Sequence, residues 1–309
     1  MVWLVLVWLA SSLVACTGLY DHDPLAGPDP LAWPDLGASY PASDASVARH
    51  SETLLQGPSF ERWLSYGDQL RARGENWLAI GQDDQLYISN GHDIGRVTAD
   101  GIKMLDRPCG NITGVTVSTE GVAIIDRVVR VVGDSGFCSV HDTLPRGIAA
   151  RGSAIYGISG FSVVVRSNLS QPWQHIAGNL DAPGSDDGDG PSARFLYPHA
   201  IATDQAGRVI INDGTRERQT LRVITGRTVS SIALDRPTPG NVAVGPKTGV
   251  IYVSDHEAGR IVALVDGSTK VVVELGVGRM WFGFAVDSLE RLYFVLDAKR
   301  LVRLTPGPL

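Results

Sequence analysis

A unit of short apolar strands recurs six times along this chain, and this repeat restricts the fold more than any other feature. Each copy has an apolar strand with a small residue near its start, a polar or glycine turn, a second apolar strand and a third strand. The small residues stand at positions 79, 116, 149, 202, 243 and 285, so successive copies are 37, 33, 53, 41 and 42 residues apart. This pitch is that of a four-stranded propeller blade, and the long interval carries an insertion.

The composition also favours an all-β fold, because 35 glycines and 17 prolines in 309 residues supply many turns. The sixth copy ends after its third strand, at 300–304, so another part of the chain must supply a fourth. The segment 60–65 precedes the first copy and would hide the exposed edge by pairing there. We therefore predict an all-β fold: a six-bladed β-propeller with four-stranded blades, closed by an N-terminal strand.

The stretch 177–213 carries the most specific motif of the repeats. A glycine- and aspartate-rich loop, 186–195, leads to Ala193 and Phe195 and then to the segment 198–202, and Ser254–Asp255 belongs to a similar pattern in the next copy. These segments resemble the NHL-repeat family. The resemblance implies a propeller but leaves the function open, since the family includes both scaffolds and enzymes.

The N-terminus predicts export and a lipid anchor. Residues 2–15 are apolar apart from Ser11 and Ser12, which is too short to cross a bilayer but typical of a signal peptide. The four residues ending at Cys16 resemble a bacterial lipobox, which implies that Cys16 is diacylated. A basic n-region is missing, so an ordinary signal peptide or a buried strand remains the alternative. We divide the chain into a signal peptide with its lipidated cysteine (1–16), a Pro/Ala/Asp-rich tether (17–57) and the propeller (58–309).

The charge and the remaining cysteines agree with a lipoprotein of the cell envelope. A net charge of −6 gives no basic footprint for nucleic acid and none for anionic lipid, so acylation would hold the chain to the membrane. Thr17 after the cysteine resembles lipoproteins sorted to the outer membrane of a Gram-negative bacterium. Cys109 and Cys138 form an even pair for a disulfide in an oxidising compartment, with two free thiols as the alternative.

The start of each inner strand predicts a ligand site at the mouth of the central channel. Three residues before the aligned small residues stand Asn76, Thr113, Arg146, His199, Gly240 and Phe282. Arg146 and His199 suit a carboxylate or phosphate, and Phe282 offers an apolar wall. The alternative is that these are loop residues satisfied by water or backbone.

Metal chemistry has little support in the same positions. Pro198-His199 resembles the peptide-amidating lyases, whose zinc is held by histidines of several blades, but only one of the six ring positions here is histidine. Gluconolactonase-like propellers use Glu, Asn and Asp in the channel, and only Asn76 matches. The run 185–190 is similar to a calcium loop but lacks the distal glutamate of an EF-hand. We expect a structural turn anchored by Phe195, with calcium at Asp186, Asp187 and Asp189 as the weaker alternative.

These observations favour a binding or protein-interaction module over an enzyme. We expect a monomeric domain tethered to the membrane through its lipid, with no cofactor and no catalytic residues. An envelope protein, a glycan or a small anion remain open as the partner. The alternative function is a hydrolase or lyase that uses Arg146 and His199 at the channel mouth.

Overall fold

The structure is a computed structural model that describes residues 51–65, 77–106, 112–125, 129–131, 147–215, 218–234, 240–255, 258–276 and 280–309. All of these residues belong to one compact unit. The predicted lipidation site Cys16, the predicted disulfide partners Cys109 and Cys138, and the ring residues Asn76 and Arg146 lie outside the described residues.

The described chain is almost entirely β-strand. It contains one α-helix, α1 (Pro58–Ser65), and a short 3₁₀ helix at Gly190–Ser192. No helix of the described segments has the length and apolar character needed to cross a bilayer. In chain order the strands are β1 (Ser51–Gln56), β2 (Leu78–Ile80), β3 (Leu86–Ser89), β4 (Ile94–Thr98), β5 (Gly101–Asp106), β6 (Gly114–Ser118), β7 (Gly121–Ile125), β8 (Val129–Val131), β9 (Ile148–Arg151), β10 (Ala154–Ser159), β11 (Ser162–Arg166), β12 (Gln174–Gly178), β13 (Gly188–Asp189), β14 (Pro198–Thr203), β15 (Val209–Thr215), β16 (Arg218–Thr225), β17 (Thr228–Ala233), β18 (Val242–Val244), β19 (Ile251–Asp255), β20 (Arg260–Val265), β21 (Ser268–Glu274), β22 (Met280–Val286), β23 (Leu292–Leu296) and β24 (Arg300–Leu304).

These strands form small antiparallel sheets around a common axis, so the prediction of an all-β propeller is confirmed. The sheets, written from inner to outer strand, are β2-β3-β4-β5, β6-β7-β8, β9-β10-β11-β12, β14-β15-β16-β17-β13, β18-β19-β20-β21 and β22-β23-β24-β1. Each of the inner strands β2, β6, β9, β14, β18 and β22 contacts the next, and β22 contacts β2. Five sheets have four or more strands, so the complete blades number five where we predicted six. The sheet β6-β7-β8 has three strands within the described residues.

An N-terminal strand closes the ring, but it is not the segment that we predicted. β1 pairs antiparallel with β24, with Ser51 opposite Leu304 and Gln56 opposite Arg300. The last residues of the predicted tether are therefore part of the sheet. The segment 60–65 lies in α1 instead of a strand, because Phe60 and Leu64 are four residues apart and bury one face of the helix. Pro58 at its first position suits a helix start.

The hydrophobic core lies between neighbouring blades. One cluster joins the fifth and sixth sheets and includes Tyr252, Phe284 and Phe294. Another joins the third and fourth sheets around Phe195 and Ile201. Because both faces of each blade are covered, most residues of the second strands are buried whichever face they occupy, and every residue of β23 is buried.

The propeller has two ends, which are formed by different parts of the strands. We call the end at which the inner strands begin, marked by Thr113, His199 and Gly240, the mouth face. We call the end at which each inner strand turns into the second strand, marked by Asp84 and Ser288, the turn face. Ser51 lies level with Leu304, which ends the third strand of its blade, so the chain enters the ring at the turn face.

Candidate functional site

The structure places the described ring residues at the mouth face. Thr113 directly precedes β6, and its N–H donates to the carbonyl of Ile125 at 2.8 Å. Gly240 stands two residues before β18, while His199 and Phe282 lie inside β14 and β22. The predicted alignment therefore brings together the backbone positions of four ring members.

β-Bulges mark two of these positions. Pairing in β14 shifts between Pro198 and Ala200, which leaves His199 as the extra residue. Pairing in β22 shifts between Trp281 and Phe284, so Phe282 occupies the corresponding irregularity. A bulge re-aims a side chain and is common beside functional sites. Strand alternation alone therefore does not fix the direction of the His199 ring.

His199 presents a neutral imidazole at the mouth. Its Nδ1 lies 3.2 Å from the carbonyl oxygen of Tyr197. The carbonyls of Tyr197 and Gly240 both approach the ring and only accept, so the two ring nitrogens compete for the single proton of the neutral imidazole. Within the described residues Nε2 is buried without a well-aligned partner, and the Gly240 carbonyl is the second backbone group that interacts with the ring. Burial lowers the pKa of His199 below its usual value, and the nearby carbonyls of Tyr197 and Gly240 only partly oppose this.

Asn241, next to Gly240, is the feature of the mouth that sequence reasoning missed. Its backbone is fixed by Ser254, whose Oγ accepts from the Asn241 N–H at 2.7 Å and whose N–H donates to the Asn241 carbonyl at 3.0 Å. Asn241 is only 1% exposed, yet within the described residues neither its side-chain nitrogen nor its side-chain oxygen has a hydrogen-bond partner. A buried amide left unpaired costs about 1–3 kcal/mol, so it calls for an explanation.

The sequence did contain a signal for this residue. At the five corresponding positions, two before the small residue of each copy, the side chains contain no amide: Trp77, Gly114, Gly147, Ala200 and Gly283. A buried carboxamide in one blade of a repeat is a departure from the repeat's own pattern. Asn212 holds the backbone next to Asn241 in place, because its Nδ2 donates to the Gly240 carbonyl at 2.9 Å.

The polar contacts at the two ends of the molecule differ. At the mouth face, buried atoms without partners occur on Trp63, His199, Gln219 and Asn241. At the turn face, hydrogen bonds connect successive blades. Four of them are Ser288 to Asp84, Thr248 to Glu290, Arg151 to Gln205 and Leu169 to Glu120. The mouth face thus combines paired groups, such as Arg222 and Asp213, with buried atoms that lack a partner among the described residues.

Two carboxylates of the aspartate-rich loop form hydrogen bonds with arginine side chains. Asp187 accepts from Arg222 Nη2 at 2.9 Å and from Ser231 Oγ at 2.8 Å. Asp189 accepts from Arg227, and this hydrogen bond lowers the pKa of the Asp189 carboxyl. Within the described residues, no group of three or more His, Cys, Asp or Glu side chains is arranged to hold a metal ion. The geometry gives these carboxylates a structural role at the loop.

Arg222 fixes this loop to the blade. Its side chain is fully buried, and Nη1 donates to the Arg194 carbonyl at 2.6 Å and to Asp213 at 3.2 Å. Nη2 donates to the Asp186 carbonyl at 2.8 Å, and the guanidinium lies 5.1 Å from the centre of the Phe195 ring. Phe195 is itself fully buried, as the expectation of an anchored structural turn requires.

Comparisons with known proteins support the fold only. No protein-family profile matches the sequence, and no curated protein matches it. A crystal structure of catalytically inactive virginiamycin B lyase from Staphylococcus aureus with quinupristin aligns with a TM-score of 0.52 at 15% identity, covering 74% of this chain and 80% of the lyase chain. A chain of a nidogen/laminin complex aligns with a TM-score of 0.52 at 14% identity, covering 72% of this chain and 99% of its own. At these identities the likeness shows a β-propeller.

Proposed function

We propose that this protein is a lipid-anchored binding module of the bacterial cell envelope, which receives its ligand at the mouth face of an NHL-like propeller. The observation that carries the proposal is the buried, unpaired amide of Asn241 beside His199. A molecule that completes these hydrogen bonds would recover the free energy that their burial costs. A rigid ring with short loops suits recognition, because the loops vary without disturbing the core.

The anchor rests on Cys16 and the lipobox resemblance. Diacylation supplies two chains, which is enough for stable anchoring where one is marginal. We expect the wild-type protein in the outer-membrane fraction and the Cys16→Ser variant in the soluble fraction. Fractionation with immunoblotting measures this. A Cys16→Ser variant that stays in the membrane fraction would overturn the anchor but not the binding role.

The binding role is tested with the full chain and two probe collections. Purified protein in detergent is applied to a printed glycan array and to a phage-displayed peptide library. We expect retention of a ligand that Asn241→Leu loses and Asn168→Ala keeps, because Asn168 lies in the turn-face loop between β11 and β12. If wild type and Asn241→Leu retain the same ligands, or none, the mouth is not a binding site.

His199 also supports a second candidate, a lyase or hydrolase. A general base requires a neutral imidazole, and burial lowers the pKa of His199, which lies at a β-bulge near the start of an inner strand. The inactive form of the staphylococcal lyase in the comparison carries a His-to-Ala change, so quinupristin is the first substrate to try. Conversion of quinupristin to a new species, separated by liquid chromatography and absent with His199→Gln, would favour the enzyme. One equivalent of zinc or calcium in protein purified without chelator would favour it as well.

A further inference from the structure

Two leucines on the connection between the third and fourth blades are exposed to solvent. Leu180 and Leu196 are 50% and 37% exposed, and both belong to the segment that joins β12 to β14. The repeat of the sequence carries its insertion in this interval, between positions 149 and 202. Single exposed leucines are common on protein surfaces, whereas several that lie together favour contact with another molecule.

The fold brings these leucines to one corner of the mouth face. A Cβ at Gly178 would overlap the Phe161 carbonyl and would lie 2.7 Å from the Phe195 ring, so the backbone at these three residues is tightly packed. Leu180 follows Gly178 by two residues, and Leu196 directly follows Phe195. Phe161 is itself half-buried. We call Phe161, Leu180 and Leu196 the corner patch.

Buried groups hold the loop of the corner patch in one conformation. Arg222 donates to the carbonyls of Asp186 and Arg194 at 2.8 and 2.6 Å. The Gly184 N–H donates to the Phe195 carbonyl at 3.0 Å, and the Arg194 N–H donates to the Asp186 carbonyl at 2.9 Å. Because the loop is already ordered, a partner that binds there does not have to order it, and ordering of loops is one of the costs of association.

Carboxylates lie on one side of the corner patch. Asp181 directly follows Leu180, and Asp181 and Asp186 are both exposed. Neither carboxylate forms an ion pair within the described residues. Arg194, the cation of the same loop, donates instead to the backbone carbonyls of residues 191–193. Two carboxylates are therefore available to a basic group of a partner.

A cation lies on the other side of the corner patch. The Tyr197 carbonyl accepts from the Gly214 N–H at 3.2 Å, so the segment that follows Leu196 lies against the β15–β16 hairpin. Arg218 stands opposite Thr215 in this hairpin and is exposed. It forms no ion pair in the part of the chain that the structure describes. The apolar centre is thus flanked by carboxylates and by a guanidinium.

From this arrangement we infer that the corner patch binds a segment of another protein that presents two apolar side chains between a basic and an acidic residue. The apolar side chains would cover the two leucines, the basic residue would pair with the carboxylates, and the acidic residue would pair with Arg218. A bilayer matches less well, because its anionic headgroups would meet two carboxylates. The corner patch includes neither Asn241 nor His199, so the inference goes beyond the proposed site.

The test applies the full chain in detergent to printed octapeptides. The two central residues are leucine or serine. They are flanked by lysine on one side and glutamate on the other, in both orders, or by glutamine on both sides. Hits are titrated by calorimetry. We expect leucine-centred peptides with charged flanks to bind about tenfold more tightly than glutamine-flanked peptides and than all serine-centred peptides.

Substitutions on the corner patch and away from it supply the matched comparison. Leu180→Ser and Asp181→Lys should each weaken binding of the charged leucine peptide about tenfold. Leu289→Ser and Asp100→Lys should change it less than twofold, because Leu289 and Asp100 are exposed in turns of the turn face. All four variants change exposed side chains, so their unfolding midpoints should stay at the wild-type value.

The outcomes separate the corner patch from the proposed site. Binding that Leu180→Ser loses and Asn241→Leu keeps supports the inference whatever the fate of the proposed site. Binding that Asn241→Leu loses and Leu180→Ser keeps would overturn the inference and support the proposed site. Retention of no peptide, or equal effects of Leu180→Ser and Leu289→Ser, would also overturn it. A wild-type dimer in sedimentation that Leu180→Ser dissociates, without peptide binding, would overturn it in favour of a second copy of the chain.

Discussion

Arg222 carries a positive charge into the interior of the fourth blade, where two carbonyls, two carboxylates and an aromatic ring surround it. Its partners are 9 to 36 residues away in sequence. Asp213, which shares it, also accepts from the N–H groups of Leu196 and Tyr197 at 3.1 and 2.7 Å. One buried ion pair thus fixes the segment that leads directly into His199.

Removal of this guanidinium is expected to destabilise the fold strongly. Arg222→Met keeps the length of the side chain but leaves Asp213 buried without its countercharge, which typically costs about 3–5 kcal/mol. Urea unfolding measures the loss. Arg227→Met is the matched control, because Arg227 and its partner Asp189 are exposed, and its midpoint should stay at the wild-type value. Equal midpoints for the two variants would contradict the role of Arg222.

His199 gives the protein a defined dependence on pH. Its folded pKa is lowered by burial, so between that pKa and the unfolded value near 6.5 the unfolded chain binds a proton that the folded chain does not. Stability therefore falls as the pH falls below about 6.5, by at most about 1.4 kcal/mol per pH unit from this group, and levels off once the folded form is protonated. His199→Phe should lose this component. Denaturation of wild type and His199→Phe at a series of pH values from neutral to mildly acidic measures this component. Parallel curves of unfolding free energy against pH would contradict the prediction.

At the scale of elements, two of the turns between an inner strand and a second strand have the same hydrogen-bond pattern. Asp204 and Asp287 each accept from the N–H and the side chain of an arginine four residues later, Arg208 and Arg291. The residue before each arginine has a positive φ. It is 86° at Gly207, where glycine is suited to it, and 64° at Glu290. Glu290 tolerates this backbone because its carboxylate accepts three hydrogen bonds from Lys247 and Thr248 of the preceding blade.

The repeat in the sequence predicted the inner strands well, because small residues and apolar runs are local signals. It did not predict β1, since Ser51–Gln56 is an outermost strand with no fully buried residue and so no apolar alternation. The bulge at His199 and the position of Arg222 depend on pairing between distant segments. The helical spacing of Phe60 and Leu64 was visible but was assigned to a strand.

Loss of β1 should weaken the closed ring. A chain that begins at Pro58 loses the half-buried Leu54 and Leu55, worth about 2 kcal/mol together, and exposes β24 as an open edge. We expect the unfolding midpoint to fall by about 4–8 °C relative to a chain that begins at Ser51. Calorimetry measures the midpoint, and light scattering detects association through the open edge. Identical behaviour of the two chains would show that β1 contributes nothing to closure.

At the scale of the whole molecule, the proposed function assigns the joining of first and last blades to the turn face and ligand binding to the mouth face. The turn face connects blade to blade, including the first to the last, where Asp84 accepts from the N–H and hydroxyl of Ser288 at 2.8 and 2.5 Å. At the mouth face, several buried polar atoms have no partner in the part of the chain that the structure describes. Because Ser51 enters at the turn face, a tether to the membrane would leave the chain at the end opposite His199.

This division is tested by a pair of substitutions at opposite ends of the blades. Asp84 has a φ of 56°, which glycine adopts without strain, so Asp84→Gly removes the contacts to Ser288 without a backbone penalty. We expect Asp84→Gly to lower stability by about 1.5–3 kcal/mol, because hydrogen bonds to a charged group are lost, and to leave ligand affinity within twofold. Asn241→Leu should do the reverse, raising stability while binding is lost. Unfolding and titration of both variants measure this, and a loss of affinity in Asp84→Gly would mean that ring closure and the mouth are coupled.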